Sequence, residues 1–299
     1  MDNVVGTIAQ QLLTGATQGC LYALIAIGYT LIFGVLRVIF FAQGELSMVG
    51  AFAATGAAIF LRAYAPGYLV LPGSLVAGVS VPIAVGVLVN SVAIRPLRDA
   101  DRTKQLVASV GVSLVLQNLM MLTVSSQAIP FPRLVPDGSW WVGQVHATSP
   151  QLAILITAPV VMAIVTYQLF GTQLGLRIRA VAENPSLARA EGIRVGRTSH
   201  VTFVLASAVA GVAGFLMATY DGVIKYDMGF LPGIKGFTAA ILGGFGNPKG
   251  AMLGGLVLGL LEALAAGYVS NAYKDTIAFA ALVAILISRP GGLVQRSAT

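Results

Sequence analysis

Gly171–His200, GTQLGLRIRAVAENPSLARAEGIRVGRTSH, is the longest stretch with real charge in an otherwise apolar chain. It sets five arginines (177, 179, 189, 194 and 197) against Glu183 and Glu191. Apolar segments long enough to span a bilayer lie on both sides of it. The middle of the stretch has its own logic. Asn184 is a good N-cap, because its side-chain oxygen can accept from an exposed backbone N–H. Pro185 suits the first helical position, where a missing N–H costs nothing. Leu187, Ala188 and Ala190 follow. Gly192 can then close the helix in a left-handed conformation, with Ile193 supplying the apolar contact that accompanies such a close. A helix of about two turns results, too short to be stable without something to pack on. Two readings stand: a solvated loop that only holds topology, or a docking helix that fits a groove on a partner. We expect the stretch to lie in the cytoplasm and to receive a push from a separate motor subunit.

Working outward, each apolar segment is measured against the roughly 20 residues that cross a bilayer. Before the stretch, spans are expected near Val4–Leu36, Glu45–Arg62, Tyr68–Ile94 (with Pro82 as a kink), Gln105–Val124 and Gln151–Phe170. After it comes Val201–Val223, then a short loop, Ile224–Lys235. Gly236–Tyr268 is too long for one simple span, and GGFGNPKG (243–250) breaks it, since Gly and Pro together disfavour continuous helix. A last span covers Asp275–Ile287. The break is either a tight cytoplasmic turn, giving nine crossings, or lies within one discontinuous span, giving eight. Arg289 and Arg296 favour a cytoplasmic tail and hence nine.

Orientation follows from the basic loops. RPLRDADRTK (95–104) and Gly171–His200 flank two spans, so both can be cytoplasmic. The loop between those spans, Ser125–Pro150, carries Trp140 and Trp141, which suit the membrane–water boundary. The N-terminus then lies outside and Arg37 inside.

Composition agrees. The chain has 299 residues, 57% of them hydrophobic and only 10% charged, against about 25% charged in soluble domains. The fold class is all-α, a polytopic transmembrane bundle read as one domain over residues 1–299. The 35 glycines suit close helix approach. The net charge of +7 belongs to short loops facing anionic lipid, so no nucleic-acid partner is expected. Met1–Gly6 shows no cleavable signal, and the first apolar segment reads as a retained anchor. Cys20 is the only cysteine and His146 and His200 the only histidines, so no metal site, cofactor or catalytic relay is expected.

GGFGNPKG invites comparison with a phosphate-binding P-loop and fails it, because Lys249 precedes Gly250 rather than Ser or Thr. If ATP drives this protein, another subunit binds it. Glu45 and Glu262 lie in or beside spans, where carboxylates are expensive and face a polar cavity or a partner. Glu45 reads as a helix N-terminal acid or as part of a translocation path with Gln43 and Gly44. Glu262 reads as an inter-helix hydrogen bond or a substrate contact. Gln117 and Asn118 read as helix-to-helix glue. Gly211 with Gly214, and the G-x-x-x-G of Gly255 and Gly259, read as close packing. FAQGELSMVGA and GFGNPKGAMLGG are both broken and rich in small residues. They lie in opposite halves, as do paired discontinuous helices that frame a transport site.

YALIAIGYTLIFGVLRVIFFAQGELSMVGAF resembles the opening of LivH-type permeases of branched-chain amino acid ABC importers. FVLASAVAGVAGFLMATYDGVI, GFLPGIKGFTAAILGGFGNPKGAMLGGLVLGLLEAL and the ending YKDTIAFAALVAILISRPGGL resemble that family's second half. RAVAENPSLARAEGI resembles its cytoplasmic coupling loop. Gln43 stands where the family often has His, and Asn-Pro-Lys where a Ser-Ile-Pro-like turn is common. The resemblance implies a permease subunit in the bacterial inner membrane, paired with a second homologous permease. Two ABC ATPase subunits would dock beneath, and a periplasmic substrate-binding protein would deliver leucine, isoleucine or valine. By that resemblance the coupling segment maps onto Glu183, Asn184, Pro185, Leu187, Ala188 and Gly192. The rivals are the same machinery importing urea or short amides, and a stand-alone channel or ion-coupled carrier. The near absence of charge in mid-span disfavours the latter.

Overall fold

A computed structural model describes residues 2–97, 101–135, 138–142 and 145–288. The tail arginines Arg289 and Arg296, and Arg98 of the first basic loop, lie outside them. The chain is a helical membrane bundle. Its helices are α1 (Asp2–Leu36), α2 (Gln43–Tyr64), α3 (Gly67–Val89), α4 (Arg102–Thr123), α5 (Ser149–Gly171), α6 (Gln173–Glu183), α7 (Pro185–Ala190), α8 (Val195–Asp221), α9 (Phe230–Gly243), α10 (Pro248–Tyr268) and α11 (Lys274–Ser288). Helix α3 continues through a π turn, Asn90–Ile94, and a 3-10 turn, Arg95–Leu97. Among the described residues seven helices are long and apolar enough to cross a membrane, and α9 is a shorter apolar one.

Helix α1 is the central post. Every residue from Cys20 to Ile32 is buried, and α10, α8, α9 and α5 pack around it. The closest of these contacts is built from small residues on both sides. A Cβ added at Gly19 would lie 2.8 Å from the Leu256 Cα, and one at Gly255 would lie 2.5 Å from the Ala23 Cα. The backbones of α1 and α10 meet, so Gly255 and Gly259 do form the packing face that their spacing suggests. Gly211 and Gly214 serve in the same way but face two helices, α3 at Gly78 and α2 at Ser47.

The two ends of α1 distinguish the two ends of the bundle. At its start, Gln10 exchanges hydrogen bonds with the His146 backbone, at 3.2 and 2.8 Å. His146 belongs to a hairpin that the sequence reading treats as loop: β2 (Ser139–Val142) pairs antiparallel with β3 (Val145–Thr148). Both tryptophans of that hairpin are exposed. Beside it, β1 (Ile129–Pro130) pairs with β4 (Val223–Ile224) just past the end of α8. At its far end, α1 meets α6. The start of α4 shares that far end, because Asn90, just upstream of it, contacts His200 at 3.0 Å. Both basic loops therefore lie opposite the Trp hairpin.

Three sequence expectations need correction. The polar stretch is more helical than its one short helix. Leu174, Ile178 and Val181 recur at helical spacing and lay down α6, whose Ile178 and Val181 are buried. Helix α8 also begins at Val195, six residues before the expected span. Lys235 is not in a loop but within α9, and is buried. GGFGNPKG, by contrast, is a tight turn between two helices, the favoured of its two readings, and not a break within one span. Gly244 and Gly246 adopt φ of +95° and +84°, a region that glycine enters without a Cβ clash. Asn247 then caps α10 by accepting from the Lys249 and Gly250 amides, with Pro248 at the first helical position.

The α1–α10 seam gives a paired prediction. Gly259→Ala puts a methyl group against the Gly19 backbone and should lower the unfolding temperature of the detergent-solubilised protein. Gly56→Ala, on an open helical face with no atom within 4 Å, should be neutral or slightly stabilising, since Ala is favoured over Gly in helices by up to about 1 kcal/mol. Equal effects of the two substitutions would contradict the packing.

Candidate functional site

Three groups of residues carry chemistry. The first is the short helix α7 and its flanks. Asn184 Oδ1 accepts from the Ser186 and Leu187 amides at 2.9 and 3.2 Å, the N-cap its sequence calls for. Gly192 sits at φ +80°. The Ile193 amide donates to the Ala188 carbonyl at 2.9 Å and the Gly192 amide to Arg189 at 3.0 Å, closing α7 in a Schellman-like cap. Ala188 is the buried anchor, while Leu187 is 64% exposed. Glu183, Asn184 and Gly192 are exposed too. Helix α7 thus presents a capped surface on which Leu187 is exposed.

A residue outside the sequence-derived set secures this element. Arg37 Nη2 donates to the carbonyls of Ala182 and Glu183 at 3.1 and 3.0 Å. It places a cation on the C-terminus of α6, the end a helix dipole favours for positive charge. Arg37 is also the only non-glycine residue at positive φ among the described residues, at +54°, a conformation costing roughly 1–2 kcal/mol. The charge of Arg37 is visible in the sequence; its reach to residues nearly 150 positions away is not.

The second group lies deep in the bundle. After Arg37, residues 37–42 leave helix and run back inward. Ser109 Oγ donates to the Ile39 carbonyl at 3.3 Å and receives the Phe41 amide at 3.4 Å. The Tyr29 hydroxyl donates to the Phe41 carbonyl at 3.3 Å. Helix α2 starts only there. Gln43 Nε2 donates to the Ala206 carbonyl at 3.0 Å, about halfway along α8. From the hairpin end a second non-helical segment, residues 225–229, descends to the same level, where Gly229 and Gly233 abut Gly44. The paired non-helical segments are therefore 37–42 and 225–229, each running into the helix start that carries Gly44 or Gly233. Of the two stretches singled out in the sequence, FAQGELSMVGA overlaps the first of these only at its start, and GFGNPKG lies elsewhere, at the α7 end of the bundle. Glu45 is 1% exposed, and its Oε1 accepts from Gln117 Nε2 at 2.6 Å and Ser113 at 3.2 Å. Glu45 Oε2 and Gln43 Oε1 are buried with no hydrogen-bond partner. Gln117 is glue, as read. Asn118 bonds only within α4, to Leu114.

The third group is an ion cluster. Lys235 Nζ lies 2.7 Å from Glu262 Oε1 and 2.7 Å from Asp275 Oδ1. Glu262 Oε2 accepts from the Tyr22 hydroxyl at 2.9 Å, and Lys274 is 3.7 Å from Glu262. Glu262 is thus matched by protein groups on α1, α9 and α11, apart from the Gln43–Glu45 junction. Among the described residues no cluster of His, Cys, Asp and Glu could hold a metal ion.

Residues 11–286 match the model of the family described as the branched-chain amino acid transport system / permease component. The chain belongs to this family. It is 38% identical over 294 residues to the high-affinity branched-chain amino acid transport system permease protein LivH of Escherichia coli strain K12, covering 96% of this chain and 95% of that one. It is 39% identical, with the same coverage, to the permease protein BraD of Pseudomonas aeruginosa. It is 30% identical to a probable LivH of Methanocaldococcus jannaschii, covering 91% and 88%. Coverage of both chains is nearly end to end, so this permease component matches its relatives as a whole multi-pass membrane protein.

In this permease component Lys235→Met would leave buried Glu262 with only the more distant Lys274, 3.7 Å away, and breaking a buried pair in this way typically costs up to about 3–5 kcal/mol. Lys235→Met combined with Glu262→Met should recover part of that loss. Thermal unfolding of the three proteins checks it, and a double variant no more stable than the single one would count against the pairing.

Proposed function

We propose that this chain is one of two homologous permease subunits of an ATP-binding-cassette importer that carries leucine, isoleucine or valine into the cytoplasm. It sits in the bacterial inner membrane as a single domain with nine crossings and an outside N-terminus. Two ATPase subunits dock on the α7 end and a periplasmic binding protein delivers substrate at the hairpin end. ATP is bound and hydrolysed by the ATPase subunits, since this chain has no Walker A sequence. The observation that carries the reading is the physical connection at the docking end. Exposed α7 continues from α6, α6 is gripped by Arg37, and Arg37 opens the segment that ends at Gln43.

The cycle then follows from geometry. The ATPase dimer closes and displaces α7, with Glu183, Asn184, Pro185, Leu187, Ala188 and Gly192 forming the contact. Helix α6 moves with it, tilting α5 and α8, to which it is joined, and drawing residues 37–42 through Arg37. Because segments 37–42 and 225–229 run into helix starts that meet at Gly44, a shift in one must displace the other, and access alternates between the two ends. Gln43, Gly44 and Glu45 line the translocation path, where the unpartnered acceptors of Gln43 and Glu45 suit groups that donate hydrogen bonds. Glu262 holds the frame beside that path. The relatives' names as branched-chain amino acid permeases, together with near-complete coverage, support branched-chain amino acids over urea or amides.

Gly192→Pro cannot adopt a φ of +80°, because the proline ring fixes φ near −65°. Glu183→Lys reverses the charge on the exposed surface. In the reconstituted complex both should sharply reduce substrate-stimulated ATP hydrolysis. Gly192→Pro also removes the Gly192 amide that bonds Arg189, so it should cost about 1–3 kcal/mol through local strain at the end of α7 without unfolding the bundle, whereas exposed Glu183→Lys should change unfolding free energy by no more than about 0.5 kcal/mol. Undiminished coupled hydrolysis in both variants would rule out α7 as the docking element.

A further inference from the structure

Two cations share one aromatic ring at the docking end. The Arg179 guanidinium carbon lies 5.2 Å from the Phe170 ring centroid, and Lys249 Nζ lies 5.3 Å from the same centroid. Both line a crevice of about 290 Å³ formed by the last turns of α1 and α5, by α6, and by the turn before α10. Leu31, Leu169 and Ile178 give it apolar walls, and no aspartate or glutamate lines it. Arg179 Nε is buried and has no acceptor. Among the described residues no carboxylate comes within ion-pair distance of either cation.

This arrangement is incomplete. The ring face favours each cation, but it offers no acceptor to the buried Nε–H, and two like charges in one crevice repel. A buried donor without an acceptor is a cost that folded proteins rarely leave unmet. The missing component is an anion with several oxygens, able to take guanidinium hydrogen bonds on one side and an ammonium on the other. We propose that this crevice binds a phosphate group, either the headgroup of an inner-leaflet phospholipid or a free phosphate of the cytoplasm. The site is unlike a nucleotide P-loop. The amides of Lys249 and Gly250 are already held by Asn247, so the binding groups are side chains. It explains why Lys249 stands at the start of α10, a position with no part in the transport cycle above.

The test uses the full chain in complex with its partner subunits, purified in detergent and stripped of lipid. One arm titrates inorganic phosphate against chloride at matched ionic strength. The other compares vesicles of phosphatidylglycerol with vesicles of phosphatidylcholine. Binding is read as the part of the response that Arg179→Gln, Lys249→Gln or both remove, which separates it from phosphate bound by the ATPase subunits. Each single variant should weaken that binding about tenfold or more, the effect of one lost charge-assisted hydrogen bond. Lys249 is exposed, so its variant should fold even where Arg179→Gln does not. A variant-sensitive response in the first arm identifies free phosphate, and in the second a lipid headgroup. No response in either arm, or a response that the double variant retains in full, overturns the proposal.

Discussion

Two lengths of non-helical backbone, residues 37–42 and 225–229, run into the interior of a bundle whose outer surface is apolar. Non-helical backbone at that depth is tolerated only where protein or a polar cavity meets its N–H and C=O groups. Much of the rest can be understood as the means of meeting them. Ser109 and Tyr29 point inward from α4 and α1 to bond the first segment. Gly44, Gly229 and Gly233 let the two segments touch directly. The glycine seams of α1 with α10 and of α8 with α2 and α3 bring the surrounding helices close enough to seal them from lipid.

The same constraint sorts the polar residues by purpose. Lys235, Glu262, Asp275 and Tyr22 satisfy one another and join four helices, so they serve as framework. Gln43 and Glu45 are only half satisfied: each has one oxygen without a partner, and both lie where the two broken segments meet. Those two open acceptors lie at the level where the proposed path would need groups for a passing solute.

Much of this was legible in the sequence, and the boundary has physical causes. Capping is local, so Asn184, Pro185 and Gly192 announce α7 within nine residues, and Asn247 with Pro248 announces α10. Span length and charge bias place the long helices and separate the two ends. Helix α6 was also within reach, through Leu174, Ile178 and Val181, but the surrounding arginines disguise its short apolar face. What depends on distant partners stayed hidden. Lys235 looks like a loop lysine until Glu262 and Asp275 are beside it. Residues 224–235 read as an ordinary loop, and nothing local in 225–229 says that it runs into the bundle, so GFGNPKG, with both glycine and proline, was the more conspicuous candidate for a broken span. Family resemblance suggested a coupling role for α7 but carried no geometry.

The short ladder between β1 and β4 has a mechanical consequence. Ile224 is the last paired residue before the second broken segment begins, and it is itself fully buried. The segment is therefore fastened to the loop after α4 at its upper end and to Gly44 at its lower end. Such a doubly clamped strip cannot swing freely like a flap; it can only shear along its length as the helices on either side slide. Opening at the hairpin face would then be a sliding of α4 relative to α8, limited by two backbone rungs.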